Sequence, residues 1–180
     1  NFDFRVSTMP TIDSESIVLR VLDNKNINKN LRTLGLSSNL LEILNESLKL
    51  SQGLILISGP TGSGKTTTLY SILKELDSEE KKIITVEDPI EYKIDSICQV
   101  AINNKIGLSF ELVLKNILRQ DPDVIFIGEV RDKFSLDIAL QASLTGHLVI
   151  ASIHANNAVE TISRLVDLDA DPFLISSTLK

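Results

Sequence analysis

The chain has 180 residues, of which 43% are hydrophobic and 23% are charged, a profile typical of a soluble globular domain with one full core and a fragment of another. The net charge of −6 at pH 7 and the pI near 4.9 argue against a general nucleic-acid-binding protein, and no apolar run approaches the length of a membrane span. No signal peptide is visible, and the one cysteine, Cys98, excludes an internal disulfide and is expected to be a small buried hydrophobe in a reducing cytosol.

Two short strands are predicted at the start of the chain, because apolar and polar residues alternate in "NFDFRVSTMP" and again in "SESIVLRVLD". Two strands bury little surface by themselves, so residues 1–24 are interpreted as the C-terminal remnant of a preceding domain. The polar stretch over 25–36, rich in Asn and Lys, is predicted to be a linker. Because the chain starts at Asn1 rather than Met and stops at Lys180 within a helix-like apolar pattern, we expect it to be a piece of a longer protein.

From residue 37 to residue 180, helical patterns alternate with short apolar runs. Such alternation predicts an α/β fold with a mostly parallel sheet covered by helices. The predicted strands are 54–58, 83–87, 124–128 and 148–153, and the predicted helices lie near 38–50, 65–77, 109–120, 133–144 and 157–168.

A glycine-rich loop follows the first of these strands and precedes a helix. Its spacing is that of a phosphate-binding loop, in which glycines let backbone N–H groups turn inward. Lys65 is expected to reach the outer phosphates of a nucleotide, and Thr66 to offer its hydroxyl to Mg²⁺. The alternative, a glycine-rich turn with an incidental lysine, is disfavoured because the spacing and the flanking elements agree. The predicted nucleotide-binding residues are Gly59, Pro60, Thr61, Gly62, Ser63, Gly64, Lys65, Thr66 and Thr67.

Two later strands end in acidic residues. Glu87 and Asp88 close the strand of "IITVEDPIEY", and Glu129 closes that of "DVIFIGEV", where Gly128 stands at a position at which many such enzymes carry aspartate. Hydrolysis needs one carboxylate for the metal and one for the attacking water. Because ligands of parallel sheets bind beyond the carboxyl ends of the strands, we expect these acids to point toward one crevice. The alternative is that they are solvated charges at strand ends.

The two histidines, His147 and His154, flank the strand 148–153. Seven steps of strand separate them by roughly 23 Å, which excludes a shared metal ion. His154 follows the carboxyl end and is predicted to sense the γ-phosphate by hydrogen bonding, the alternative being a structural hydrogen bond. His147 lies at the other end and is predicted to be a packed structural or interface residue.

Four linked motifs resemble those of the secretion ATPases, the hexameric motors of type II secretion and type IV pilus assembly. "GPTGSGKTTTLY", "ITVEDPIEY", "ILRQDPDVIFIGEVRD" and "TGHLVIASIHANNA" look like the phosphate loop, aspartate box, atypical Walker B motif and histidine box of that family. The resemblance implies a RecA-like ATPase core over 37–180, with Glu87 as the catalytic glutamate, Glu129 as the Walker B acid that holds Mg²⁺ together with Thr66, and His154 as the second box histidine. Arg5 and Arg20 match the family's arginine pair, which reaches the phosphates from the N-terminal domain.

The resemblance also implies a function. The expected activity is Mg-dependent hydrolysis of ATP that powers pseudopilus or pilus assembly in type II secretion, type IV pili or DNA uptake. The expected partners are five further copies in a homo-hexamer and an inner-membrane platform protein, with no direct contact to nucleic acid. The expected location is the cytoplasm, at the inner face of the bacterial inner membrane, with membrane association through partners.

Three alternatives stay open at this point. A pilus retraction motor belongs to the same class, although "MPT" and "NKIGLSF" resemble assembly motors more. A nucleotide-dependent scaffold would bind ATP with little turnover, and Lys65, Glu87 and Glu129 argue against it. A DNA-translocating or helicase-type RecA enzyme is disfavoured by the acidic pI.

Overall fold

The fold is described from a computed structural model, which covers residues 3–22 and 30–180. Its first part is an antiparallel sheet of two strands, β1 (Asp3–Pro10) and β2 (Glu15–Leu22). Apolar side chains of both strands are exposed, among them Val6, Ile17 and Leu19. The prediction of two opening strands is confirmed, and their assignment to a preceding domain stays a prediction.

The second part is a parallel sheet of five strands with helices around it. The strands are β3 (Gly53–Ser58), β4 (Ile83–Glu87), β5 (Cys98–Ala101), β6 (Val124–Val130) and β7 (Leu148–Ile153), in the spatial order β3-β7-β6-β4-β5. Every pairing between neighbours is parallel, so the carboxyl ends of all five strands lie at the same edge of the sheet. The predicted α/β fold with a mostly parallel sheet is confirmed.

Six α-helices accompany these strands within the described part of the chain. They are α1 (Ser38–Leu48), α2 (Lys65–Leu76), α3 (Phe110–Ile117), α4 (Lys133–Leu144), α5 (Ala158–Asp167) and α6 (Pro172–Thr178). Their starts are set by local chemistry, since the side chains of Ser37, Ser109, Asp132 and Asn157 accept backbone N–H groups of the first turns of α1, α3, α4 and α5. No helix in 3–22 or 30–180 has both the length and the apolar character needed to cross a membrane.

The strands of the central sheet send alternate side chains to its two faces. In β6, Ile125 and Ile127 join one apolar cluster, with buried residues of α3 and α4, whereas Val124 and Phe126 join a second cluster, with buried residues of α2. All four side chains are at most 2% exposed. A strand covered by helices on both faces reads as a continuous apolar run, which is why these strands were visible in the sequence.

Residues 25–36, the predicted linker, lie partly outside the described residues. The described portion contains a 3₁₀ helix, Leu31–Thr33, whose N-terminus is capped by the Asn30 side chain. Leu31 is 1% exposed and packs into the cluster that includes the buried side chains of α2. Part of this polar stretch is therefore anchored to the core, and the domain boundaries remain predictions.

The expectation that Cys98 is buried is wrong, because its side chain is exposed. Cys98 begins β5, a strand of four residues that the sequence did not predict. This strand lies at the edge of the sheet, where it pairs with β4, and its residues are half-buried or exposed. A short edge strand lacks the apolar run that marks the central strands.

Candidate nucleotide site

The glycine-rich loop joins β3 to α2 in the backbone conformation that its glycines allow. Gly59 and Gly64 have φ angles of +153° and +96°. A Cβ atom on Gly59 would lie 2.5 Å from Ser63 Oγ and would displace that side chain, and the positive φ angle would be strained for any other residue. Gly64 directly precedes α2 and has no side chain to cap it, which leaves N–H groups of the first turn for an anionic ligand. These features fit a phosphate cradle.

Lys65 folds over this loop. Its ammonium group donates hydrogen bonds to the carbonyl oxygens of Gly59, at 2.6 Å, and Pro60, at 3.0 Å. Both acceptors are neutral, so these two hydrogen bonds do not neutralise the charge of the ammonium group. Phosphate oxygens, which carry negative charge, are stronger acceptors than amide carbonyls.

A cavity of about 770 Å³ lies beside the loop, within the size range of small-molecule sites. Lys65 and Thr66 line it together with the predicted acids Glu87 and Glu129 and with His154. The loop follows β3 and His154 follows β7, whereas Glu87 is the last residue of β4 and Glu129 the last but one of β6, so all of them lie at the same edge of the sheet. The remaining lining residues include Tyr70, Asp88, Asn104, Phe110, Arg131, Asp132 and Ser152.

Glu87 is a buried carboxylate, 3% exposed, so for this residue the alternative of a solvated strand-end charge is wrong. Tyr70 donates its hydroxyl to Oε2 at 2.5 Å. Oε1 accepts two hydrogen bonds, from the Thr85 hydroxyl at 2.7 Å and from the Gln99 side-chain amide at 3.2 Å. Burial of a charge is costly unless hydrogen bonds compensate it, and here three neutral donors do so.

Burial raises the pKa of Tyr70 far above the ordinary value for tyrosine, and the hydrogen bond to Glu87 and its negative charge raise it further. Tyr70 therefore keeps its proton throughout the working pH range. It acts as a neutral hydrogen-bond donor to Glu87.

Glu129 lies in a more open and more positively charged environment. Its Oε1 is 2.8 Å from His154 Nε2, and its Oε2 accepts a hydrogen bond from Arg131 Nε. The Glu129 side chain is 20% exposed, and that of His154 is 57% exposed. Each carboxylate oxygen keeps a further lone pair, so the residue can still ligate a cation.

Gly128 has a steric reason to be glycine. A Cβ atom there would lie 3.1 Å from the Val86 carbonyl oxygen and 3.4 Å from Glu87 Cα, because β4 and β6 approach closely at this point. The Ser152 hydroxyl also donates to the Gly128 carbonyl oxygen at 2.5 Å. Aspartate at this position would press against the backbone that carries Glu87.

The two histidines flank β7 as expected, and they have different surroundings. His147 Nδ1 lies 3.1 Å from the Ala142 carbonyl oxygen and 3.3 Å from the Thr145 hydroxyl, which are local contacts at the entering end of the strand. Only His154 of the two lines the cavity. Within 3–22 and 30–180, no group of three or more His, Cys, Asp or Glu side chains could hold a metal ion.

Arg5 and Arg20 are direct partners in the register of β1 and β2. Their side chains lie outside the described part of the chain. Their predicted approach to the phosphates stays a prediction.

Four residues of the site were not found from the sequence: Tyr70, Thr85, Gln99 and Arg131. Thr85 stands two residues before Glu87 and Arg131 two residues after Glu129, so strand periodicity offered a signal for both. Tyr70 and Gln99 carried no such signal, since they reach Glu87 from α2 and β5 through the packing of the fold.

The model of the family described as type II/IV secretion system protein matches residues 1–180. The chain is 49% identical over 177 residues to the type II secretion system protein HxcR of Pseudomonas aeruginosa. These aligned residues cover 98% of this chain and 38% of HxcR. It is also 49% identical over 177 residues to the type II secretion system ATPase E of Vibrio cholerae, over 98% of this chain and 35% of that protein.

The fold matches the crystal structure of the pilus retraction motor PilT with bound ADP, at a TM-score of 0.79 and 36% identity, over 98% of this chain and 52% of PilT. This match confirms the predicted RecA-like fold. The chain spans only 35% to 38% of the length of the two curated relatives. With its fold, its four motifs and these identities, the chain belongs to the type II/IV secretion system protein family.

Proposed function

We propose that this chain is the nucleotide-hydrolysing core of a motor that uses ATP to power pseudopilus or pilus assembly, in type II secretion, type IV pili or DNA uptake. The observation that carries the proposal is the single cavity that collects Lys65, Thr66, Glu87, Glu129 and His154. A phosphate cradle alone would only bind nucleotide. The buried carboxylate of Glu87 beside it supplies a group that can act on water.

Binding begins at the loop. Lys65 exchanges its two carbonyl acceptors for oxygens of the β- and γ-phosphates, while the N–H groups at the start of α2 donate to the phosphates. The hydroxyl of Thr66 and a carboxylate oxygen of Glu129 would hold Mg²⁺, an ion that prefers oxygen ligands from one or two side chains plus phosphates. When bound, Mg²⁺ neutralises charge on the phosphate groups.

Glu87 is the general base in this proposal. Within the described part of the chain, its Oε1 accepts two hydrogen bonds and its Oε2 accepts one, so Oε2 retains a lone pair for a water molecule. The carboxylate orients this water toward the γ-phosphate and takes up its proton. His154, paired with Glu129, senses the γ-phosphate from the end of β7. Arg5 and Arg20 would contribute further positive charge from the two-stranded sheet, a role that rests on the family resemblance.

The assembly and location follow from the family in this proposal. The protein acts as a homo-hexamer on an inner-membrane platform protein, in the cytoplasm at the inner face of the bacterial inner membrane, without direct contact to nucleic acid. The similarity to HxcR and to ATPase E, both type II secretion system proteins, supports a role in secretion. The net charge of −6 supports the absence of a nucleic-acid partner.

A retraction motor is the second candidate, supported by the 36% identity and the TM-score of 0.79 to PilT. The 49% identity to type II secretion proteins favours assembly. A scaffold with little turnover is disfavoured, since a protein that only binds nucleotide gains nothing from a charged carboxylate held in the cavity wall at 3% exposure.

The test is phosphate release from ATP by the intact protein and its Lys65→Ala variant, combined with titration of a fluorescent ATP analogue. We expect Mg-dependent turnover in the wild type, and weakened binding with abolished turnover in a folded Lys65→Ala protein. Unchanged affinity in the variant would remove the phosphate-loop assignment. In cells that lack the protein, restored secretion or piliation supports an assembly motor, whereas loss of excess pili points to retraction.

A further inference from the structure

Tyr70 lies within α2, the helix that starts at Lys65, and is 1% exposed. Its ring packs edge-on against the rings of Tyr92 and Phe126, with centroids 6.4 Å away in both cases. Two aromatic contacts and almost complete burial leave the ring one orientation. The hydroxyl at its tip therefore occupies a fixed point in the cavity wall.

The direction of the hydrogen bond between Tyr70 and Glu87 is also fixed. The backbone N–H groups of Glu91 and Tyr92 donate to the Tyr70 oxygen at 3.1 and 3.2 Å. Because the oxygen accepts both, the hydroxyl proton is directed to Oε2 of Glu87 at 2.5 Å. One phenol thus joins α2, the end of β4 and the loop that follows β4.

We infer that Tyr70 is a positioning residue for Glu87, holding the oxygen that faces the attacking water in one orientation relative to the phosphate loop. This inference rests on the proposed role of Glu87 as the general base. Lys65 and Tyr70 stand five residues apart on one helix, so a rigid element sets the offset between the lysine at the phosphates and the carboxylate at the water. Misplacement of such groups by about 1 Å lowers rates by ~100-fold.

Thr85 and Gln99 complete the set of donors from the other side. Both donate to Oε1, and Gln99 also donates to the Tyr92 carbonyl oxygen at 3.0 Å and accepts from the Ile94 N–H at 2.7 Å. These bonds hold one oxygen, and Tyr70 holds the other. Removal of the Tyr70 hydroxyl would leave Oε2 free to rotate about the fixed Oε1.

The experiment compares four forms of the intact protein: wild type, Tyr70→Phe, Glu87→Gln and the double variant. We expect Tyr70→Phe to lower kcat by about 10- to 100-fold, the range found when an outer partner of a functional ligand is removed. KM for ATP and affinity for a fluorescent analogue should stay within twofold. The double variant should turn over no more slowly than Glu87→Gln alone, because Tyr70 acts through Glu87.

Tyr92→Phe is the matched control. It removes a hydroxyl from the neighbouring ring. Tyr92 contacts Tyr70 through its backbone N–H and its ring, and Gln99 through its backbone carbonyl oxygen, and phenylalanine keeps all three contacts. We expect its kcat to equal that of the wild type. An equal fall in Tyr70→Phe and Tyr92→Phe would overturn the positioning role in favour of general packing.

Melting curves of the same four proteins cover the case in which Tyr70→Phe does not fold. If loss of the hydroxyl leaves the buried Glu87 carboxylate without a hydrogen-bond donor at Oε2, Glu87→Gln in the same chain should restore folding. A double variant that melts as low as Tyr70→Phe would assign Tyr70 to packing. Full activity in Tyr70→Phe with an inactive Glu87→Gln overturns this inference alone, whereas full activity in Glu87→Gln overturns the proposed function.

Discussion

Glu87 and Glu129 lie at the carboxyl ends of neighbouring strands and line the same cavity, yet their surroundings differ in kind. Glu87 is 3% exposed and is held by neutral donors, whereas Glu129 is paired with Arg131 and with the imidazole of His154. Neutral donors fix a carboxylate without cancelling its charge, which suits a base. The cationic arginine balances the charge and can be exchanged for another cation, which suits a metal ligand.

The largest expected effect comes from Glu87→Gln, which keeps the shape of the side chain and removes its charge. Loss of a general base costs about 10²- to 10⁴-fold in rate, while the phosphate cradle is unchanged. We expect kcat to fall by that factor and Mg-ATP affinity to persist. Phosphate release and equilibrium binding on the same sample measure both. A fall in affinity comparable to the fall in rate would contradict the division between the two acids.

Glu129→Gln should have a different signature. If Glu129 is the metal ligand, the amide variant needs more Mg²⁺ to reach half-maximal turnover, by a factor of about 10 or more, as for outer or inner partners of a metal site. The measurement is turnover as a function of Mg²⁺ concentration at saturating ATP. The Mg²⁺ dependence of the activity that remains in Glu87→Gln is the comparison. The same Mg²⁺ dependence in both variants would remove the proposed difference between them.

This contrast could be predicted only in part. The strands that lead to Glu87 and Glu129 are short and mostly apolar runs, and the rule for carboxyl ends of parallel strands brings both acids to one edge. Predicted strands 83–87 and 148–153 and the predicted helix 133–144 coincide with the observed elements. Parallel sheets with helices on both faces give this clear signal because their strands are buried on two sides.

The surroundings of the two acids could not be predicted from the sequence. Tyr70 reaches Glu87 only because α2 packs on the sheet, and Gln99 does so from β5, an edge strand without an apolar run. Cys98, on the same strand, was misjudged for the same reason. Burial and hydrogen-bond partners depend on tertiary packing, which periodicity along one element does not encode.

A smaller effect is expected at the contact between the two strands. Gly128→Ala places a Cβ atom 3.1 Å from the Val86 carbonyl oxygen, so β4 and β6 must separate slightly. Overpacking of this type costs about 1–3 kcal/mol of stability, and it should disturb Glu87 more than Glu129. Chemical denaturation gives the free energy of unfolding. A loss below about 0.5 kcal/mol would mean that the strands accommodate the methyl group, and steric exclusion would no longer explain this glycine.

The smallest expected effect concerns the ion pair between Arg131 and Glu129, in which the arginine side chain is 62% exposed. An ion pair with a solvent-exposed partner contributes about 0.2–1 kcal/mol, so Arg131→Ala should change the free energy of unfolding by about that amount. If the arginine competes with Mg²⁺ for the carboxylate, its loss should lower the Mg²⁺ concentration for half-maximal turnover by up to about fivefold.

Lys133→Ala is the matched control, because Lys133 also forms an exposed pair, with Asp169, and does not line the cavity. That control should leave the Mg²⁺ dependence unchanged. A higher Mg²⁺ requirement in Arg131→Ala would show that the arginine supports the metal site, and the proposal that it competes with Mg²⁺ for Glu129 would be wrong.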